Sequence, residues 1–343
     1  MRFVFAAWIA SRAVIVAAFF VASAHPLASA GNWDGAWYGS IAQHGYGYAQ
    51  IGAQHDSAFF PLFPMLTSLL LRAGIGWPLA GVLVNNAAFF GALILLHRIA
   101  SKRWNTATAR WCIAFTCACP LSLFASVAYR EGVYLFFSAL ALWCALRSQR
   151  LASGLAGAAA SAASAIGITL AGALVIQELV QRRSARDIAS AALAFAGIAG
   201  FALFCYLRFG DPLAFAHTQQ GWRTGGIDAT AWLRVTDSLR TWEGLRANLM
   251  VMVLVPLAAI AIIMQHKALG LLLTLYGLLA IALILVAGEP ISADRLAFAV
   301  VPVLLAYGRI LQRIPVAGAV WLVFSLSLLA YDAGSFARFH WVA

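Results

Sequence analysis

Little of this sequence is charged. Of its 343 residues, 10% are Asp, Glu, Lys or Arg and 63% are hydrophobic, where soluble domains carry about 25% charged residues. A folded soluble chain of this composition could not cover its surface with polar side chains, and a disordered one would need far lower hydrophobicity. No polar stretch is long enough to form a soluble catalytic domain, so any chemistry must sit in membrane-embedded loops. An Asp-x-Asp element, the usual clamp for a metal-bound diphosphate, is missing. So is any solenoid-type repeat or low-complexity tail. The five cysteines, Cys112, Cys117, Cys119, Cys144 and Cys205, lie in apolar runs without metal-ligand or secreted-disulfide spacing, and read as small apolar residues.

Acid is scarcer than base: 12 acidic residues stand against 23 basic ones, a formal net charge of +11. In a soluble chain that balance would point to nucleic acid. Here it reads as basic loops held near anionic lipid, with membrane lipids rather than nucleic acid as partners.

What the sequence does have is apolar runs, over 3–24, 60–73, 78–97, 107–127, 132–147, 151–180, 188–207, 247–264, 268–287, 296–311 and 315–332. At about 20 residues per span, the chain is predicted to be all-α, one integral-membrane domain over 1–343 with about 11 transmembrane helices. Ala28-Ser29-Ala30 resembles a signal cleavage site, but Arg12 interrupts the preceding apolar stretch, so an uncleaved first span is expected.

The basic clusters are Arg98/Lys102/Arg103/Arg110, Arg147/Arg150, Arg182/Arg183/Arg186, Lys267 and Arg309/Arg313. All become cytoplasmic under two conditions. The run 60–73, with Pro61 and Pro64, must not cross fully, and 151–180 must be two short helices broken near 164–167. The amino terminus is then inside, and the segments 25–77, 128–131, 164–167, 208–246 and 288–295 lie outside. Ten of the twelve acidic residues fall on that outer side; Glu178 and Asp187 fall inside. Acidic residues carry little topological weight, so the asymmetry points to use on the outer face. The alanine-rich composition suits a bacterial inner membrane with its active face toward the periplasm.

The first outer loop, 25–77, contains Trp33, Trp37 and Ile41 at i, i+4 and i+8. That spacing predicts an amphipathic interfacial helix with its aromatic face in lipid and Asn32 as N-cap. Asp34 falls in the first turn with Tyr38 one turn on. It either complements the helix dipole or serves as a general base at the membrane surface. Phe59-Phe60-Pro61-Leu62-Phe63-Pro64 breaks regular helix, as a turn into the membrane or as the wall of a groove. Tyr129-Arg130-Glu131-Gly132 puts an ionisable pair where there is no room for a loop, which is either a self-satisfied ion pair or a functional site. In the large loop, 208–246, His217, Gln220 and Arg223 are three apart and would share a helix face. They would bind phosphate or sugar hydroxyls, or the segment would be an interfacial helix anchored by Trp222 and Arg223. Arg295 at membrane depth needs an anionic partner, from Asp294, Glu289 or a ligand phosphate; Arg12 in the first span poses the same question.

Taken together, Trp33-Asp34-x-x-Trp37-Tyr38-x-x-Ile41-Ala42-x-x-Gly45-Tyr46, the Phe59–Pro64 run, Tyr129-x-Glu131, Gly210-Asp211-Pro212-x-x-Phe215 with Gln220 and Trp222, and Arg295 resemble the glycosylphosphatidylinositol mannosyltransferase II (PIG-V-like) family of GT-C membrane glycosyltransferases. The order matches over nearly the whole chain, and the first motif is the specific one. There are departures. No arginine stands at Ser164-Ala165-Ile166-Gly167, and Leu296 follows the late arginine where an aromatic is common.

The resemblance implies a GT-C-like bundle and an inverting transfer of mannose from a polyprenyl-phosphate-linked donor to a glycolipid, glycan or protein acceptor on the outer face. Asp34 would be the base, with Glu131 assisting it or orienting the acceptor. Arg295, with Arg12 or Arg223, would hold the donor phosphate. Trp33, Trp37, Tyr38, Asp56, His217, Gln220 and Trp222 would contact sugar or acceptor. A singly charged phosphodiester can be neutralised by arginines alone, so neither metal nor cofactor is expected. The competing classes are a transporter or flippase, which would show inverted repeats and midplane charges, a non-catalytic binder of lipid-linked sugar, and an acyltransferase or ligase.

Overall fold

The computed structural model describes residues 1–47, 54–221, 242–287 and 292–342, without the side chains of Gln220 and residues 242–250. Trp222, Arg223 and Glu289 therefore lie outside the described residues.

The described chain is helical throughout. Its main elements are α1 (Arg2–Ala22), α2 (Asp34–His44), α3 (Leu62–Arg72), α4 (Leu79–Arg103), α5 (Thr106–Ala118), α6 (Glu131–Leu146), α7 (Arg150–Ala163) and α8 (Gly167–Val180). They continue with α9 (Ala185–Phe209), α10 (Trp242–Val286), α11 (Ala293–Phe298), α12 (Val301–Arg313) and α13 (Pro315–Ala337). Five stretches among the described residues are long and apolar enough to cross a membrane: Arg2–Ala22, Leu79–Arg103, Ala185–Phe209, Val251–Val286 and Pro315–Ala337. Leu62–Arg72, Glu131–Leu146 and Gly167–Val180 are apolar but shorter. The eleven apolar runs thus do not become eleven full-length helices.

Local chemistry explains where the runs break. The run 107–127 leaves the helix after Ala118, because Pro120 disfavours helical backbone at Cys119. It continues as a 3₁₀ segment, Pro120–Ala125. The run 151–180 breaks where expected: Ser164 is extended (φ −160°, ψ 144°) between α7 and α8. The run 296–311 is interrupted at Ala299 and Val300, and Pro302 opens the first turn of α12. At Gly270 (φ 70°) the long α10 turns sharply; there Arg103 Nε donates to the Ala268 carbonyl at 2.7 Å. α3 has 11 residues, about half a bilayer crossing, as the charge pattern required.

α4 packs on α6, α6 on α7, α12 on both α5 and α10, and α13 closes against α1. The α5–α12 crossing is tight because Gly308 lies against the Cys112 backbone, where a Cβ would collide. This arrangement brings the 3₁₀ segment 120–125, the turn 126–130, the α7–α8 break, the α11–α12 break and the end of α13 to one end of the bundle.

Candidate active site

The first outer loop docks on that end. Ala128 N–H donates to the Ala30 carbonyl at 2.9 Å. The Tyr129 hydroxyl donates to the Asn32 carbonyl and accepts from Asp34 N–H, both at 3.2 Å. The start of α2 is thus fixed by a buried tyrosine. Asn32 is not the N-cap expected from sequence. Trp33 precedes the helix without a side-chain cap, and Asn32 Nδ2 donates to the Phe336 carbonyl of α13 at 3.0 Å.

The aromatic face expected in lipid is packed on protein instead. Trp33 stacks on Phe339 with centroids 4.4 Å apart and meets Trp341 edge-on, while Trp37 stacks on Phe59. Tyr38 is buried edge-on to Phe59, Phe63 and Tyr129. The reason is area: with α3 and the end of α13 beside it, the face buries more apolar surface against rings than headgroups would offer.

The turn before α6 is pinned by two residues the sequence reading passed over. Asn85 is fully buried in α4. Its Nδ2 donates to the carbonyls of Phe124 and Val127, at 2.8 and 2.7 Å, and its Oδ1 accepts from Gly132 N–H at 2.7 Å. A Cβ on Gly132 would strike Asn85, so the position requires glycine. Asn86 adds a bond to the Ser126 carbonyl at 2.7 Å. The legible signal was two adjacent amides in an apolar run, which must satisfy their hydrogen bonds inside the protein.

On this frame three predicted residues meet. Arg295 Nη2 donates to Asp34 Oδ2 at 2.8 Å, and its Nε stands 3.4 Å from Glu131 Oε1. Its guanidinium also lies over the rings of Phe124, Tyr129 and Trp341, at 5.1, 5.3 and 5.7 Å. Such a box favours a desolvated cation. Exposure grades across the cluster: the side chains of Arg295 and Glu131 are 7% and 3% exposed, that of Asp34 20%. Asp34 is therefore the member that faces outward. With both carboxylates ionised, one positive charge meets two negative ones. Glu131 Oε2 and Arg295 Nη1 have no hydrogen-bond partner among the described residues.

Two residues next to the cluster hold left-handed backbone despite their side chains, Trp33 at φ 56° and Ser292 at φ 61°. Each costs about 1–3 kcal/mol. One aims Asp34, and the other starts the turn of helix bearing Arg295.

Beside Glu131 lies a shallow, partly open cleft lined by Arg130, Glu131, Tyr134, Ser164, Ile166, Leu296 and Ala299. It sits where the α7–α8 and α11–α12 breaks meet the start of α6. Arg130 Nη1 donates to the Ala163 carbonyl at the first of these breaks, at 3.2 Å.

The other predicted residues lie elsewhere. Arg12 donates through Nη2 to the Ser122 carbonyl and hydroxyl, at 3.2 and 3.1 Å, and stands 4.8 Å over the Phe89 ring. Among the described residues no bond or shared ring joins it to the Arg295 cluster. Asp56 accepts from Gly47 N–H at 2.7 Å and pairs with His55 at 2.6 Å. His217 pairs with Asp211 at 2.7 Å. From His217 the chain passes from α-helix at Ala214–His217 to a 3₁₀ turn at Thr218–Gly221; the face expected for His217, Gln220 and Arg223 lies in part outside the described residues. That segment leans on the first loop through the Ser57–Thr218 hydroxyl pair at 2.7 Å. Among the described residues, no group of three or more His, Cys, Asp or Glu side chains is placed to hold a metal ion.

A family model described as mannosyltransferase (PIG-V) matches residues 8–209, more than half of the chain. That range includes Asp34 and Glu131; Arg295 lies beyond it. Among solved structures, the chain is similar to ArnT from Cupriavidus metallidurans in the apo state, with a TM-score of 0.56 and 13% identity over 96% of this chain and 77% of that one. It is similarly close to the same enzyme bound to undecaprenyl phosphate, with a TM-score of 0.54 and 13% identity over 96% and 75%. At that identity the likeness is one of fold, the GT-C arrangement. No curated protein matches the chain. The chain belongs to the mannosyltransferase (PIG-V) family of membrane glycosyltransferases.

Proposed function

We propose that this membrane protein transfers mannose from a polyprenyl-phosphate-linked donor to a hydroxyl of an envelope acceptor, a glycolipid, glycan or protein, at the outer face of a bacterial inner membrane. The amino terminus is cytoplasmic. ArnT, which has this fold, was crystallised with undecaprenyl phosphate, and a lipid-linked donor reaches an embedded cleft laterally without a soluble nucleotide-binding domain.

The observation that carries this reading is the buried Asp34–Arg295–Glu131 cluster. The transfer is a single inverting displacement. The acceptor oxygen attacks the anomeric carbon, the bond from that carbon to the phosphate oxygen breaks, and polyprenyl phosphate leaves with the bonding pair. The acceptor proton passes to Asp34. Arg295 holds Oδ2 of Asp34 at 2.8 Å, which fixes the carboxylate and leaves Oδ1 for the incoming hydroxyl. Such positioned base catalysis is worth about 10²–10⁴-fold. Glu131 shares the guanidinium and keeps it oriented. The reaction is expected to need no metal, since a phosphodiester can be neutralised by guanidinium groups.

The test is label release from radiolabelled polyprenyl-phosphate mannose by the purified protein in nanodiscs, with chelator present and with added membrane-lipid extract. Release that persists with chelator and falls about 10²–10⁴-fold in Asp34→Asn supports the reading. Unchanged release in a normally folded Asp34→Asn protein rejects Asp34 as the base. No release despite saturable donor binding makes the protein a binder of lipid-linked sugar.

A further inference from the structure

The cluster around Asp34 cannot by itself welcome a phosphate. Arg295 already faces two carboxylates, so an approaching anion meets a site with no cation to spare. The donor's phosphodiester must be neutralised by another group within reach of Glu131.

Arg130 meets that requirement. It is the N-cap of α6, adjacent in sequence to Glu131 and half-buried in the wall of the cleft. Its one hydrogen bond among the described residues, from Nη1 to the Ala163 carbonyl, tethers the guanidinium across the cleft and leaves its second terminal nitrogen for a ligand. No carboxylate pairs with it among the described residues. The cleft also holds an unmet acceptor: Glu131 is 2% exposed and its Oε2 has no hydrogen-bond partner among the described residues. A buried carboxylate oxygen left open is costly and calls for a hydroxyl donor. Two helices, α6 and α8, begin at this cleft with Arg130 and Ile166 as N-caps. Gly132 N–H is already bonded to Asn85 and Gly167 N–H to Ser164, so these helix starts contribute positive field rather than free donors. A cation, a positive field and one buried hydroxyl acceptor at the mouth of one open cleft are what recognition of a sugar phosphate requires.

We propose that Arg130, rather than Arg12 or Arg295, binds the donor phosphate in this cleft, while Glu131 Oε2 accepts from a hydroxyl of the transferred sugar. The assignment rests on the donor class proposed above.

The test has two arms. In turnover, Arg130→Gln raises the donor KM by about 10- to 100-fold with a smaller change in kcat, and Arg130→Lys restores part of it, as loss of a charge-assisted contact predicts. In binding, unlabelled polyprenyl phosphate raises the melting temperature of the wild type but not of Arg130→Gln, and still does so in Glu131→Gln, which loses the sugar contact and one carboxylate beside Arg295 but leaves Arg130 in place. Phosphatidylglycerol at the same mole fraction neither competes nor stabilises; equal competition would mean a site for bulk lipid and overturn the assignment. Unchanged KM and unchanged polyprenyl-phosphate binding in Arg130→Gln overturn it too, while leaving the transferase reading intact. A wild type that binds polyprenyl phosphate through Arg130 yet releases no sugar sinks the transferase reading alone. If Arg130→Gln folds poorly, Arg130→Lys decides: weakened but measurable binding supports the role, and full wild-type binding rejects it.

Discussion

Arg12 and Arg295 are both arginines buried in a helical membrane bundle, and their surroundings differ in kind. Arg295 has carboxylates on two sides and three aromatic rings around it. Arg12 has a hydroxyl, a carbonyl and one ring, with Nε and Nη1 unpartnered among the described residues. The first is part of a charge system whose removal strands one buried acid, Glu131, and one half-buried acid, Asp34. The second is a strut between α1 and the 3₁₀ segment, held by dipoles alone. A buried cation is therefore informative only with its partners, and two residues that pose one question in sequence receive different answers in space.

The comparison can be broken most decisively at Arg295. Arg295→Ala leaves Asp34 and Glu131 facing each other without a cation, and breaking a buried pair costs about 3–5 kcal/mol. We expect a markedly lower melting temperature, together with a fall in turnover of about 10³-fold. Stability equal to wild type would mean that the pair is not formed in the membrane.

Arg12→Met should do the opposite, because replacing a poorly compensated buried charge by an apolar side chain of similar size is often neutral or stabilising. Turnover within about tenfold of wild type and an equal or higher melting temperature are the expected results. A loss as large as that of Arg295→Ala would make Arg12 part of the site.

The mildest case is His217, which also has a carboxylate partner but lies in an exposed loop. Partial burial would raise the Asp211 carboxyl, but the His217 ring and the Leu213 N–H hold it below the usual carboxylate range. A depressed carboxyl contributes stability above its ordinary pKa, and that contribution is lost as pH falls through the lowered one. The loop should thus keep this contact from pH 5 upward and lose it only in stronger acid, as followed by hydrogen exchange of the Leu213 amide. His217→Gln should leave turnover within about threefold, under about 1 kcal/mol of barrier; a larger loss would bring this loop into the substrate path.

Much of the fold was legible because apolar length and charge asymmetry act locally. The break at Ser164 in a 30-residue run and the short α3 both followed from requiring basic residues on one side. Less legible was where a run stops being a helix. Pro120 and Pro302 end or interrupt helices inside stretches that composition alone joins. The aromatic stripe of α2 showed the right period and the wrong neighbour, since periodicity identifies an apolar face but not whether lipid or protein covers it. Asn85 and Asn86 were visible as polar residues in a span, yet only contact with the 124–132 turn shows what they hold.

By itself the sequence determined that this is a polytopic membrane protein, and that Asp34, Glu131 and Arg295 are the residues whose burial would have to be explained. Those follow from the energy of placing charge near lipid, which depends on the residue and not on its partners. Tertiary structure decided that the three are one cluster, that Arg295 is committed to carboxylates, and that Arg130 is the cation left facing the cleft. An ion pair across 261 residues of chain and a hydrogen bond across 97 depend on where helices break and cross, and no local pattern encodes them.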